Sequence, residues 1–180
     1  IFVEKYRPKI VEEIISPYKD KILNYLKDNK SIPNFLFYNS IPGNGKTTFA
    51  KAIINQLGCD YLYLNGSDER GIDVVREKIK KFAISKSFKD GKKCVLLDEA
   101  DKITKDGQDA LRPITEEYSS NCFFIMTGNY IEKFTDALLS RFQKFHLNNP
   151  EKSEICKRLV YICKQENIKC DKSGIVKLME

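Results

Sequence analysis

Histidine is nearly missing from this 180-residue chain, with His146 standing alone. The six cysteines (Cys59, Cys94, Cys122, Cys156, Cys163 and Cys170) include no Cys-x-x-Cys pair. Without clustered ligands of this kind a zinc site is not expected. Cys94 and Cys122 fall in apolar strand-like runs and read as small core residues. Cys156, Cys163 and Cys170 recur every seven residues, and the first two read as inward helix positions. This cysteine usage fits a reducing, intracellular compartment, and the expected location is the cytoplasm. No apolar run approaches the length that spans a bilayer, so no membrane partner is expected. The N-terminus, Ile1-Phe2-Val3-Glu4-Lys5, lacks the apolar stretch of a signal peptide. An initiator Met is missing, and the chain stops at Leu178-Met179-Glu180 inside a helical pattern, so truncation is expected at both ends. Internal repeats and low-complexity tracts are absent.

What is present is ordinary for a globular protein: 42% hydrophobic and 31% charged residues. The length allows one full domain and part of another. The net charge of +6 is compatible with a nucleic-acid partner without establishing one. Strand-like and helical stretches alternate, the pattern of a parallel α/β sheet. Strands are expected at 35–38, 61–64, 93–97, 122–127 and 144–147. Helices are expected at 19–28, 46–57, 72–84 and 106–118. The last three carry apolar faces at a period near 3.6: Phe49, Ala50, Ile53 and Leu57; Ile72, Val75, Ile79 and Phe82; Ala110, Leu111, Ile114 and Tyr118. Asn148-Asn149-Pro150 interrupts the pattern. A helix over 151–166, with Ile155, Leu159, Ile162 and Cys163 inward, and another from Ser173 follow. The expected division is therefore a core over 1–148 and a partial helical domain over 149–180.

The run Ser40-Ile41-Pro42-Gly43-Asn44-Gly45-Lys46-Thr47-Thr48 follows an apolar strand and opens a helix, the setting of a phosphate-binding loop. Backbone N–H groups of the turn and helix start would favour an anion. Lys46 would meet the outer phosphates of a nucleoside triphosphate, and Thr47 would offer a hydroxyl to magnesium. Ser40 stands where the usual pattern has Gly. A Gly-rich turn without ligand is the plainer alternative. Cys94-Val95-Leu96-Leu97-Asp98-Glu99-Ala100-Asp101 is an apolar strand ending in carboxylates. Strand ends of a parallel sheet meet the ligand crevice, which places Asp98 as a Mg2+ ligand and Glu99 as the base that polarises water. The alternative is a solvated acidic turn. At the end of the strand-like Ile125-Met126-Thr127-Gly128-Asn129 an Asn amide or Thr hydroxyl could reach a γ-phosphate or its water; Asn129 is the better candidate, although Asn often serves as a cap or turn residue. Arg141, in Leu138-Leu139-Ser140-Arg141-Phe142, could act as an arginine finger from a neighbouring copy or be a solvated charge. Arg76 and Lys80 are helix neighbours that could meet nucleic-acid phosphates or simply face solvent.

On these residues the chain resembles the clamp-loader ATPases of the AAA+ class, which include replication factor C small subunits and their archaeal and phage counterparts. The resemblance runs through nearly the whole chain. Glu4-Lys5-Tyr6-Arg7-Pro8 looks like the family box that lies over the nucleotide base. Asn65-Gly66-Ser67-Asp68, then Arg70-Gly71-Ile72-Asp73-Val74-Val75-Arg76, is characteristic, as are Leu97-Asp98-Glu99-Ala100-Asp101 and Ala110-Leu111-Arg112. Details such as Glu117-Tyr118-Ser119-Ser120-Asn121-Cys122 and the Ser40 variant of the loop look most like the ATPase subunit of T-even-type phage loaders, whose location would be the host cytoplasm.

The resemblance implies an AAA+ P-loop fold with a five-stranded parallel sheet flanked by helices, followed by the start of a small helical lid. It implies an ATPase, with ATP and Mg2+ as cofactors, that opens a sliding clamp and loads it on primer–template DNA. The partners implied are the clamp, the DNA and other loader subunits, five in all. Pro42, Gly43, Asn44, Gly45, Lys46, Thr47 and Thr48 would bind nucleotide with Tyr6, Arg7 and Pro8. Thr47 and Asp98 would hold the metal. Glu99, Asp98, Lys46, Asn129 and Arg141 would be catalytic, with Asn129 at the sensor position and Arg141 reaching the adjacent subunit. Arg70, Ile72, Arg76 and Lys80 would contact DNA. Gln108 and Arg112 match the helix that couples DNA contact to the ATP site. Two departures stand out: Phe142 replaces the Cys of the Ser-Arg-Cys motif, and Pro113 sits mid-helix. Such a proline costs about 3 kcal/mol in a regular helix, so a kink or a loose helix start is expected. The family's second sensor Arg would fall beyond residue 180, so nucleotide binding by this chain is expected to be incomplete. Two alternatives remain: another AAA+ DNA-remodelling motor of the branch-migration type, and a non-hydrolysing structural subunit of the loader.

Overall fold

The computed structural model describes residues 2–28, 31–68, 72–87, 89–169 and 172–177. Along the chain the elements are α1 (Phe2–Lys5), α2 (Lys19–Leu26), β1 (Phe35–Tyr38), α3 (Lys46–Leu57), β2 (Tyr61–Asn65), α4 (Ile72–Ile84), β3 (Lys93–Asp98), α5 (Lys105–Glu117), β4 (Cys122–Gly128), α6 (Asp136–Leu139), β5 (Gln143–His146), α7 (Lys152–Gln165) and α8 (Lys172–Lys177). Contacts divide them into two compact units, Pro8–Leu147 and Ile1–Arg7 with Asn148–Glu180. The first seven residues, expected with the core, thus cluster with the C-terminal helices.

In the larger unit five parallel strands lie in the order β2-β3-β4-β1-β5. Every strand expected from the sequence is present, with ends shifted by at most one residue. Alternation along each strand feeds two cores. Phe35, Phe37, Cys94, Leu96, Phe123, Ile125 and Phe145 point to one face, where Ile22 of α2 and Phe49 and Ile53 of α3 cover them. Leu36, Leu64, Val95, Leu97, Phe124 and Met126 point to the other, under Val75 and Ile79 of α4, Leu111 and Ile114 of α5 and Leu138 of α6. β3 and β4 are buried throughout, as central strands covered on both faces should be.

Two local contacts matter for the site. Phe37 and Phe49 stack with ring centroids 5.0 Å apart, which fixes α3 against β1 on either side of the loop between them. Such a pair adds about 0.5–1.5 kcal/mol beyond its burial. Buried Lys93 donates to the carbonyls of Phe82 and Ser85, the latter at 2.6 Å, and so closes the C-terminal end of α4.

Helix α5 runs unbroken through Pro113, without the loosely helical start considered above. The carbonyl deprived of its donor belongs to Asp109, and both residues are exposed, so water can serve it. In the smaller unit α7 carries no fully buried residue. Ile155, Leu159, Ile162 and Cys163, expected to face inward, are half-buried. Tyr6 and Lys5 both donate to Glu166 at 2.5 Å, tying α1 to the end of α7.

Candidate functional site

The strand order aligns three C-terminal strand ends in a row, β3, β4 and β1. The phosphate-loop candidate follows β1, Asp98 ends β3 with Glu99 just after it, and Asn129 emerges between them after β4. This is the crevice in which open parallel sheets bind ligands.

The loop is held from within. Asn39, buried directly after β1, donates from its amide to the Leu147 carbonyl at 2.6 Å and accepts from the Ile41 N–H at 2.7 Å. Asn44 reaches the same Leu147 carbonyl at 3.2 Å. Gly43 and Gly45 adopt φ +82° and +78°, a left-handed conformation that side chains resist. Gly45 caps α3 with no side-chain hydrogen bond, which leaves the N–H groups of the first turn facing outward for an anion. Lys46 folds back to donate to the carbonyls of Asn39 at 2.9 Å and Ile41 at 3.3 Å. Partial burial pushes its ammonium pKa down, while Asp101 and Asp98 oppose the shift.

Asp98 is the hub of the opposite wall. Its carboxylate accepts hydroxyl donors from Thr47 at 2.9 Å, from Tyr63 at 3.1 Å and from Thr127. The Thr127 hydroxyl in turn accepts the Glu99 N–H at 3.0 Å. Glu99 sits at φ +54°, an uncommon conformation for a residue with a side chain, in the turn where β3 ends. Its Oε2 is taken by Ser67 at 2.5 Å and Lys102 at 2.6 Å. The Lys102 bond, then that of Ser67, holds the Glu99 carboxyl below its ordinary pKa. Gly66 donates to the Asp98 carbonyl at 2.8 Å, and a Cβ on Gly66 would stand 2.5 Å from the Glu99 carbonyl oxygen. Only glycine permits the end of β2 to approach this turn so closely. Asp101 is buried beside this wall, and its Oδ1 has no hydrogen-bond partner.

Asn39, Tyr63, Ser67, Asp101 and Lys102 were not singled out from the sequence as site residues, and Thr127 was considered only as a second choice to Asn129. Strand order and register bring in Asn39, Tyr63, Ser67 and Thr127, whereas Asp101 and Lys102 sit in the short turn just after Glu99. Thr127, for instance, lies 29 residues from Asp98 along the chain but next to it across β3 and β4.

Arg141 is not part of this cluster. It precedes β5, and its carbonyl accepts the Asn34 amide at 3.2 Å just before β1 begins. Because β1 and β5 are parallel, Arg141 lies at the N-terminal edge of the sheet, opposite the loop. Its exposed guanidinium pairs with Glu116. The neighbouring Phe142 is buried in the core formed with α5 and α6. The phenylalanine is a packing residue there and leaves the arginine free to project.

The sequence pattern of the ATPase family associated with various cellular activities (AAA) matches residues 36–149, which include the loop, both carboxylates, Asn129 and Arg141. The chain belongs to this family. Among curated relatives, the AAA chain is 39% identical to the replication factor C small subunit of Archaeoglobus fulgidus, over 99% of its own length and 58% of that protein. It is 40% identical to the one from Saccharolobus solfataricus, over 97% of its length and 55% of the relative, and 40% identical to the one from Methanococcus maripaludis, over 97% and 57%. It therefore spans somewhat more than half of the relatives it matches. The solved structure of the Thermotoga maritima RuvB Holliday junction branch migration motor shares its fold, with a TM-score of 0.77 over 94% of this chain and 58% of that one. At 18% identity that likeness concerns the fold alone.

The remaining expected positions are spread over the AAA chain. Arg76 and Lys80 are exposed on α4 among Asp73 and Glu77, and Ile72 is half-buried at the helix start. Arg70 lies outside the described residues. Arg7 pairs with Glu4 at 2.8 Å, and the Tyr6 carbonyl accepts from Arg158 at 3.1 Å, both within the smaller unit. Pro8 opens the larger unit and is half-buried. Gln108 is buried in α5 and makes three hydrogen bonds. Its amide donates to the carbonyls of Ile103 at 3.1 Å and Lys133 at 2.9 Å, and its oxygen accepts the Thr135 N–H at 2.8 Å. It ties α5 to the segment that follows Asn129. No described helix is long and apolar enough to cross a membrane.

Proposed function

We propose that this chain is the ATPase portion of a DNA sliding-clamp loader subunit. The observation that carries the reading is the juxtaposition of Lys46, Thr47, Asp98 and Glu99 around one crevice, in a chain about 40% identical to replication factor C small subunits. The reaction is ATP and water to ADP and phosphate. Lys46 leaves its loop carbonyls for the outer phosphates, and the free N–H groups of the loop and α3 hold the rest. The Glu99 carboxylate takes a proton from the attacking water, and Asn129 orients that water or the γ-phosphate.

Thr47 and Asp98 would hold a Mg2+ ion. Their hydroxyl and buried carboxylate are hard oxygen donors already in contact, and the unpaired Asp101 oxygen adds negative charge nearby. Among the described residues no three His, Cys, Asp or Glu side chains could enclose a metal. That suits a cation held mostly by water and substrate phosphates. When bound, the ion neutralises charge on the triphosphate.

Arg141 faces away from its own site, which favours service to an adjacent copy. Several subunits, five in the reading favoured here, would then form an open spiral in the cytoplasm. Arg70, Ile72, Arg76 and Lys80 would line its inner surface against primer–template DNA. The residues 149–180, with the first seven, would begin a lid. Buried Phe142 and unbroken α5 remove two reasons for regarding the subunit as non-hydrolysing.

The test is the ATPase activity of full-length protein in its reconstituted complex. Turnover should rise when clamp and primed DNA are added, and Glu99→Gln should retain ATP binding while suppressing turnover. Absence of stimulation by clamp and DNA together would sink the clamp-loader reading.

A further inference from the structure

Glu116 stands in the last turn of α5, and one of its oxygens serves two arginines. Oε1 meets the Arg141 guanidinium and lies 3.8 Å from Nε of Arg112, one helical turn earlier. The backbone of Arg141 is fixed on both sides: its N–H donates to the Leu138 carbonyl at 3.0 Å, its carbonyl accepts from Asn34, and Phe142 after it is buried. Only the side chain is free to change partners. All three charged groups are between 40% and 49% exposed, where an ion pair is weak and readily exchanged. Guanidinium groups bind carboxylate and phosphate oxygens with the same geometry.

We propose that Glu116 is a positioning residue that occupies Arg141 in the unassembled chain as a stand-in for a phosphate of the adjacent copy's nucleotide. This rests on Arg141 acting between copies. Assembly on nucleotide exchanges the carboxylate for the more highly charged phosphate. Glu116 therefore opposes assembly in proportion to the strength of its pair.

The experiment uses full-length protein and a non-hydrolysable ATP analogue, with assembly followed by sedimentation. Glu116→Gln should lower the analogue concentration needed for half-assembly by roughly two- to fivefold, the loss of one exposed ion pair. Glu116→Asp should stay near the parent value. In an Arg141→Ala background the Glu116→Gln effect should vanish, which a general structural role for Glu116 would not produce. An unchanged or raised threshold in Glu116→Gln overturns the proposal, as does a fall that persists without Arg141. Arg141→Ala alone separates the two claims. If it leaves assembly and turnover as in the parent, the reading of Arg141 fails and this one with it. If it impairs them while Glu116→Gln changes nothing, only the role of Glu116 fails.

Discussion

Lys46 and Arg141 stand at opposite edges of one parallel sheet. Lys46 bonds to the Asn39 carbonyl just beyond the end of β1, whereas the Arg141 carbonyl accepts from Asn34 just before its start. Five residue steps of extended chain, from Asn34 to Asn39, separate these anchors, roughly 16 Å at the usual strand rise. An arginine side chain cannot turn across that edge to reach its own phosphate loop. Under the proposed function one chain would carry two half-sites, and an adjacent copy would supply the complement.

The turn after β3 depends on Thr127, whose buried hydroxyl donates to Asp98 and accepts from the Glu99 N–H. Thr127→Val keeps the shape but strands that N–H and one acceptor site of the Asp98 carboxylate. Stability should fall by about 1–3 kcal/mol. Turnover should drop with it, because the uncommon backbone conformation of Glu99 loses its tether. Thermal unfolding and ATPase assays on the variant check both outcomes.

The bonds from Lys102 and Ser67 hold the Glu99 carboxyl below its ordinary pKa. A depressed carboxyl stays ionised to lower pH, so the stabilisation it gives is present above the unfolded-state value and is lost as pH falls through the native one. Acting as the base, Glu99 should give an acid limb of the pH–rate profile below the usual carboxylate range. Lys102→Met should move that limb upward, toward the ordinary value. A limb in the same place in both proteins would separate the ion pair from catalysis.

Gln108 joins α5 to the segment after Asn129 through three hydrogen bonds in a nearly dry setting. Gln108→Leu leaves two carbonyls and one N–H without partners, at a cost of about 1–3 kcal/mol for each group that water cannot reach. Chemical denaturation should show that loss, and hydrogen exchange at the Thr135 amide should accelerate.

The parts of the site that are contiguous in sequence were legible there. Lys46 and Thr47 at a helix start, and Asp98 and Glu99 at a strand end, announce themselves because strand, turn and helix signals are local. The five strands were legible for the same reason, since their apolar runs need no partner to be recognised. Asn39, Tyr63 and Ser67 were not, because their roles arise from which strands lie side by side, and Lys102 was not, because its bond to Glu99 depends on the tight turn after β3. Gln108 was placed by resemblance, but its bonding depends on how the segment 131–135 packs. Phe142 shows the reverse case. Read against a motif it is a defect, and read against the core of α5 and α6 it is a buried side chain doing ordinary packing. Pro113 likewise looked disruptive until its lost bond fell between two exposed residues.

The split site is tested most directly by mixing two full-length variants in the assembled complex. Glu99→Gln copies keep Arg141 but cannot turn over, and Arg141→Ala copies keep Glu99 but lack the arginine. Each alone should lose ATP turnover by on the order of 10³-fold. Mixed, they should recover a measurable fraction of the parent rate, because the arginine of one copy completes the crevice of the other. Parent-level turnover by Arg141→Ala alone, or a mixture no faster than its separate parts, would contradict the account.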